Sequence, residues 1–364
     1  MSQTEVDLGF MRMALELASR ATQATSPNPK VGCVIVKHGS PIGEGWTQPV
    51  GQAHAEVQAL RDAAARGHDV RGATAYVTLE PCSHFGRTPP CANALIDAGI
   101  GRVVAALQDA NPRVAGRGLD LLRTAGISVD CGLLAEQARE MNIGFFKRME
   151  TGRPWVRMKV AASLDGRTAL PNGNSQWITG LDARQDGHFW RARADAILTG
   201  IGTVLADDPQ MNVRGINISP QPRKFVLDSN LRISTAAKLL QHGGATVVCA
   251  TAEIEKRSAL QSVGAEVLLL RDQVGRVDLK ELMLELGRRQ VNELHVEAGA
   301  KLNGALIEQG CVDELLVYLA PKLLGDGAGL FDLPELSTLD QAKKLIFHEV
   351  SKVGDAIRIL ARFA

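Results

Sequence analysis

His54-Ala55-Glu56, Glu80-Pro81-Cys82 and Cys91 are the residues whose types and spacing could do chemistry. One imidazole and two thiols supply three ligands suited to zinc and leave a fourth position open for water. Bound zinc lowers the pKa of such a water from about 16 toward 7, so hydroxide becomes available at neutral pH. Glu56 is the natural proton carrier. Positions i and i+2 of a regular helix point to different sides, so His54 must stand at the very start of one. Cys82 directly follows a strand, and Cys91 opens a helix behind two prolines, where the helix N-terminus favours a thiolate. Taken singly, an H-x-E is usually a helix start and a Pro-Cys pair usually core. Their order, at strand-to-helix junctions, points to a metal centre. His84 lies inside the Cys-to-Cys loop with Arg87 and Thr88. It reads as a substrate contact or a solvated loop residue, and not as a ligand.

The second half offers different chemistry. No G-x-G-x-x-G follows its first strand, which disfavours a standard dinucleotide-binding fold. Instead Val296-Glu-Ala-Gly-Ala-Lys-Leu-Asn-Gly304-Ala305 takes a strand through a glycine turn into a helix, a geometry whose backbone N–H groups bind phosphate. Polar residues gather at strand ends: Lys159, Ser163-Leu-Asp165-Gly-Arg167, Ser175-Gln-Trp177, Arg191, Gly200-Ile-Gly202-Thr203 and Asp207-Asp208-Pro209.

Two α/β domains must position these groups. At 364 residues the chain exceeds what one core usually organises. A Gly- and Pro-bearing break at Glu150–Pro154 separates residues 1–150 from residues 151–364. In the first domain strands alternate with helices, which implies right-handed crossovers and a mainly parallel sheet. The pair Val31–Val36 and Ile42–Trp46, joined at His38-Gly-Ser-Pro41, is the antiparallel exception. Phe10, Ala14, Leu17, Ala18 and Ala21 form the apolar stripe of an N-terminal amphipathic helix. The second domain repeats the alternation and ends in an antiparallel hairpin, Leu345–Val350 with Ala356–Arg362. Cys33, Cys131, Cys249 and Cys311 sit in or beside apolar runs and read as core.

Composition narrows the function. Hydrophobic residues make up 45% and charged residues 22%, which excludes disordered, collagen-like and coiled-coil chains. Lys+Arg and Asp+Glu balance at 15 against 15 in residues 1–150 and 26 against 25 beyond, so neither domain attracts a nucleic-acid backbone by charge. Aromatics at 4% are too few for a stacking groove, which weighs against a nucleic-acid-editing deaminase. No apolar run is long enough to span a membrane, and the N-terminus lacks a signal-peptide pattern, so a cytoplasmic protein is expected.

Zinc deaminases carry H-x-E followed by P-C-x-x-C. Here the second Cys comes nine positions after the first. That longer loop has a specific meaning. HAE, SPNPKVGCVI and TLEPCSHFGRTPPC, with KVAASLDGRTA and GIGTVLADDPQMNVR further on, closely resemble the bacterial bifunctional riboflavin-biosynthesis deaminase/reductase family over nearly the whole chain. The resemblance implies a cytidine-deaminase-like α/β/α domain at residues 1–150 and a dihydrofolate-reductase-like α/β domain at 151–364. It implies zinc on His54, Cys82 and Cys91, with Glu56 shuttling protons. The substrate would be 2,5-diamino-6-ribosylamino-4(3H)-pyrimidinone 5′-phosphate, deaminated and then reduced by NADPH to 5-amino-6-(5-phosphoribitylamino)uracil. Asn28, otherwise simple turn chemistry between two prolines, would orient the pyrimidine. Ala161, Trp177, Thr203, Asp207, Ser229 and the turn Gly299, Ala300, Lys301, Leu302, Asn303, Gly304 and Ala305 would hold the cofactor. Ser175, Arg191, Met211, Arg214 and Glu297 would face the substrate, the two arginines as forks for a sugar phosphate. Lys159 and Asp207 are the candidates for polarising and protonating the ribose. The partners are then small molecules, with no nucleic acid or membrane, and the oligomeric state, homo-oligomer included, stays open.

Overall fold

The computed structural model describes residues 2–83, 90–112, 114–241 and 243–364. They form two compact units, Met1–Gly152 and Arg153–Ala364. Among the described residues, no helix is long and apolar enough to cross a membrane.

The first unit runs α1 (Gln3–Ser19), β1 (Gly32–Lys37), β2 (Ser40–Trp46), α2 (Ala55–Ala65), β3 (Thr74–Val77), α3 (Cys91–Asp97), β4 (Arg102–Ala105), α4 (Arg117–Thr124), β5 (Ser128–Cys131), α5 (Ala135–Met141) and α6 (Ile143–Thr151). The sheet order is β2-β1-β3-β4-β5. Period-two alternation in strands buried on both faces makes a three-layer sandwich. Val34, Val36, Tyr76 and Val104 meet Met11, Ala14 and Leu17 of α1 on one face. Cys33, Ile35, Ala75 and Val77 meet Ala59, Leu95, Leu122 and Phe146 on the other. Gly43 and Gly45 let β2 lie against the backbone of α2, since a Cβ at either would collide with a carbonyl of that helix.

Four features of this unit differ from expectation. β1 runs antiparallel to β3 as well as to β2, so only β3-β4-β5 is parallel. In α1, Met11 is fully buried and Phe10 only partly. Cys131 is exposed, because β5 is the sheet's edge strand and presents its side chains to solvent. Helices α5 and α6 fill a stretch where no element was expected.

The second unit runs β6 (Trp155–Ser163), β7 (Arg167–Ala169), α7 (Leu181–Arg193), β8 (Ala196–Gly200), α8 (Ile201–Asp207), β9 (Arg223–Leu227), β10 (Thr246–Cys249), α9 (Ile254–Ser262), β11 (Glu266–Leu269), α10 (Leu279–Arg288), β12 (Glu293–Val296), α11 (Ala300–Glu308), β13 (Glu314–Ala320), β14 (Ala328–Gly329), β15 (Leu345–Val353) and β16 (Ala356–Phe363). The sheet order is β11-β10-β9-β8-β12-β6-β13-β16-β15. Strands β11 through β13 are parallel, and the terminal hairpin adds two antiparallel strands. β12 inserts between β6 and β8, so the chain reverses its winding there. Ligands of open α/β sheets bind at such a reversal, beyond the C-terminal strand ends. Helices α10 and α11 cover one face through Leu282, Leu286 and Leu306, and α7 covers the other through Ala183 and Trp190.

Candidate functional site

In the first unit β1 runs opposite to β3, so the start of β1 lies beside the end of β3. The loops before β1, after β2 and after β3 therefore share one sheet edge. His54 is the N-cap of α2, with extended backbone (φ −77°, ψ 170°), as its spacing from Glu56 requires. Cys82 follows β3, and Cys91 is the first residue of α3. The His54 Nδ1 atom stands 3.7 Å from Cys82 Sγ and 3.3 Å from Cys91 Sγ. All three ligand atoms lie within 4.8 Å of one another. Donors placed about 2.0–2.3 Å from a tetrahedral ion stand about 3.6–3.8 Å apart, so the trio fits zinc.

Within the trio the negative charge falls on Cys82, while contact with Cys82 and burial push the Cys91 thiol up. The Cys91 thiol, His54 and the Cys91 backbone N–H (3.2 Å) hold the Cys82 sulfur low, in the thiolate form. Contact with Cys82 raises the His54 imidazole against the opposing effect of burial. Glu56 is 3% exposed. Burial pushes its carboxyl up to about 7, the neighbouring Cys82 thiolate adds to this, and His54 opposes it. A carboxyl poised there can both accept and return a proton. Asn28 sits half-buried on the loop entering β1, at the same edge. His84 lies outside the described residues.

Glu80 does something its motif did not disclose. Buried at 3% exposure, it accepts backbone N–H bonds from Asp109 (3.0 Å) and Gly116 (2.9 Å) on one oxygen, and from Gly118 (2.8 Å) and Leu119 (3.4 Å) on the other. It binds the 109–119 loop to the strand end that carries Cys82. An acid beside a Pro-Cys after a strand was the available signal.

In the second unit the polar strand-end residues gather at the C-terminal edge. Glu297, just past β12, takes both forks of Arg191 from α7, with Nη2 at 2.9 Å and Nε closer still. It also takes His295 Nε2 at 3.1 Å, and Lys159 Nζ from β6 stands 3.9 Å away. Burial pushes the Glu297 carboxyl up, but Arg191, Lys159 and His295 outweigh it and hold it well below the usual range. Arg191 Nη1 donates to the Asn212 carbonyl (3.0 Å), and the Arg214 N–H donates to His188 Nδ1 (3.2 Å), so α7 grips the loop that carries Met211 and Arg214. Arg191 is thus saturated by protein partners, whereas Arg214 is exposed. His188 and His295 were missed in the sequence. Each lies on the same face as a named residue, three before Arg191 on a helix and two before Glu297 on a strand, and that periodicity was the signal.

Gly299 is the N-cap of α11, with Asn303 buried beneath that turn. Ala161 lies in the last third of β6, in register with Tyr318, and Thr203 is on α8 directly after β8. Ser229 follows β9. Asp207 is exposed at the last position of α8, and its side chain makes no hydrogen bond or ion pair among the described residues, so nothing joins it to Lys159. Ser175 and Trp177 lie in the loop before α7, where Trp177 is 65% exposed and stacks on the Arg184 guanidinium at 4.4 Å.

Comparison with known proteins adds an independent line. Residues 4–107 match the cytidine and deoxycytidylate deaminase zinc-binding region, and residues 154–359 match the RibD C-terminal domain. The chain is 49% identical to riboflavin biosynthesis protein RibD of Escherichia coli over 358 residues, covering 95% of this chain and 96% of that one. It is 40% identical to the protein of the same name from Aquifex aeolicus, over 98% of each. Acinetobacter baumannii RibD superposes with a TM-score of 0.92 at 43% identity over the whole of both chains. The Thermotoga maritima diaminohydroxyphosphoribosylaminopyrimidine deaminase/5-amino-6-(5-phosphoribosylamino)uracil reductase does so at 0.90 and 31%, again over both whole chains.

Proposed function

The chain belongs to the RibD family of riboflavin-biosynthesis proteins and is a bifunctional enzyme, a deaminase and a reductase; from that premise we propose how its residues divide the work. Residues 1–150 deaminate and residues 151–364 reduce. The substrate is 2,5-diamino-6-ribosylamino-4(3H)-pyrimidinone 5′-phosphate and the product 5-amino-6-(5-phosphoribitylamino)uracil.

In the first unit His54, Cys82 and Cys91 would hold the metal. Zinc, when bound, supplies Lewis-acid activation of a water. Glu56 carries one proton from the nucleophile to the ring nitrogen and then a second from the added hydroxyl to the departing amine, and ammonia leaves. Its burial keeps bulk water from competing for that proton. Asn28 orients the pyrimidine, and His84 is the candidate contact from the Cys-to-Cys loop. The observation that carries this reading is the meeting of His54, Cys82 and Cys91 beside buried Glu56.

In the second unit the cofactor is NADPH, which supplies a hydride for conversion of ribosyl to ribityl. The first N–H groups of α11 have no intrahelical partner, which suits a phosphate at Gly299–Ala305. Ala161, Trp177, Thr203 and Ser229 line the remainder. Arg214 is the exposed fork for the sugar phosphate, and Arg191 lends its charge from the wall, with Ser175, Met211 and Glu297 around it. Lys159 and Asp207 polarise and protonate the reacting sugar.

The test uses the full chain. A strong chelator should abolish ammonia release from the aminopyrimidine, zinc should restore it, and NADPH oxidation with the deaminated substrate should persist throughout. Ammonia release that survives complete zinc removal would refute the metal reading, and failure of NADPH to support reduction would refute the cofactor.

A further inference from the structure

We propose that Asn142 is a positioning residue of the deaminase site, acting through the loop that presents Asn28. The proposal rests on the reading, given above, that Asn28 contacts the pyrimidine. Asn142 lies 112 residues from its partner and beyond the segment that matches the deaminase region. Its carboxamide meets both polar groups of one backbone residue: Oδ1 accepts the Lys30 N–H at 2.7 Å, and Nδ2 donates to the Lys30 carbonyl at 2.9 Å. This is the bonding a strand neighbour would supply, delivered by a single side chain that is 5% exposed.

The loop needs such a holder. Its downstream end is fastened by side chains of the sheet edge, because Val31 N–H donates to Thr47 Oγ1 and Gly32 N–H to Thr78 Oγ1, both at 3.0 Å. Upstream of Val31, the Asn28 N–H is tied locally to the Thr25 carbonyl (2.9 Å), and the α5–α6 segment adds two long-range contacts: Asn142 on Lys30, and Arg148 Nη2 donating to the Pro27 carbonyl at 3.3 Å. Asn28 sits between those two points. The holder is itself rigid, since Phe145 and Phe146 of α6 pack in the same core cluster as Val31 and Cys33. Residues 135–151 therefore belong to the deaminase site, although every proposed zinc ligand precedes residue 92.

The experiment is a double-mutant cycle in the full chain, with Asn142→Leu, Asn28→Ala and the pair. Asn142→Leu removes both bonds to Lys30, together with the longer one to the Ala138 carbonyl (3.4 Å), at nearly constant volume. Its deamination kcat/KM should fall about ten-fold, mainly through KM, since displaced positioning groups cost one to two orders of magnitude. Zinc per chain and reductase kinetics should be unchanged. In the Asn28→Ala background the same substitution should cost almost nothing further. Asn142→Asp, which keeps the acceptor for Lys30 N–H but loses the donor, should fall between wild type and Asn142→Leu and serves if the leucine variant does not fold. Normal deamination by Asn142→Leu beside an impaired Asn28→Ala would overturn the positioning role alone, as would fully additive losses or loss of zinc. Normal deamination by Asn28→Ala would overturn the reading of Asn28 and the proposal built on it.

Discussion

Glu80→Gln isolates the support of the proposed metal site from the proposed ligands themselves. Each Glu80 oxygen receives two backbone N–H groups. A glutamine keeps one oxygen, and in either orientation its amide nitrogen must face two N–H donors. Two bonds to a charged acceptor are lost, at about 1.5–3 kcal/mol each, and two buried donors are left unpaired. Relaxation of the 109–119 loop recovers part of this, so the net loss should be about 3 kcal/mol. For a unit of this size that corresponds to a fall in Tm of about 6–12 °C. The disturbance reaches the metal because the loop lies directly on Pro81, where a Cβ on Gly118 would collide with the Pro81 carbonyl oxygen. Zinc affinity should then fall about 10–100-fold, as it does when outer supports of a metal ligand are removed. The assay is thermal unfolding of the full chain together with zinc competition against a chelator, with reductase rate as the internal control. A variant whose Tm stays within about 2 °C of wild type and whose zinc affinity is unchanged would refute the argument that these bonds organise the site.

Cys82→Ser should lose most bound zinc by metal analysis; full zinc content would remove Cys82 from the ligand set. Glu56→Gln should keep zinc yet release ammonia at least about 10²-fold more slowly, and near-normal turnover would remove Glu56 from proton transfer. Gly299→Asp should weaken NADPH binding about ten-fold or more, through a like charge beside the phosphate. The backbone there is extended (φ −79°) and a Cβ meets nothing within 4 Å, so Gly299→Ala should bind almost normally; equal Kd values for wild type and Gly299→Asp would move the phosphate elsewhere. Asp7, which joins α1 to Arg102 (2.7 and 3.0 Å) and Tyr76 (2.5 Å), is held down to about 2, first by the Arg102 guanidinium. A depressed carboxyl stabilises above its unfolded pKa of about 3.9, here by about 2 kcal/mol, and that contribution halves near pH 3 and vanishes as pH falls through 2. Urea unfolding of Asp7→Asn and wild type should therefore differ at pH 6 and converge on acidification, and a gap that holds constant down to pH 3 would contradict this.

The trio proposed to hold the metal could be picked out in the sequence because few side chain types bind zinc and each of the three sits where a local signal marks an element's end. His54 caps a helix, Cys82 follows a buried apolar strand, and Cys91 opens a helix behind two prolines. The parallel strands of the second unit were legible for a related reason: a strand buried on both faces reads as an unbroken apolar run, as in AILTG and TVVC. Local pattern stops there. It does not carry strand direction, so the antiparallel pairing of β1 with β3, which brings the Asn28 loop to the edge where Cys82 lies, came only from the fold. It does not carry sheet position, so Cys131 looked buried although edge strand β5 exposes it. Nor does it carry partners distant in the chain. Glu297 could be named, but its saturation by Arg191 from 106 residues away could not, and neither could the hold of Asn142 on Lys30. Periodicity and capping arise from neighbours within a few residues, whereas pairing direction and long-range hydrogen bonds are set when the sheet and its covering helices close around one core.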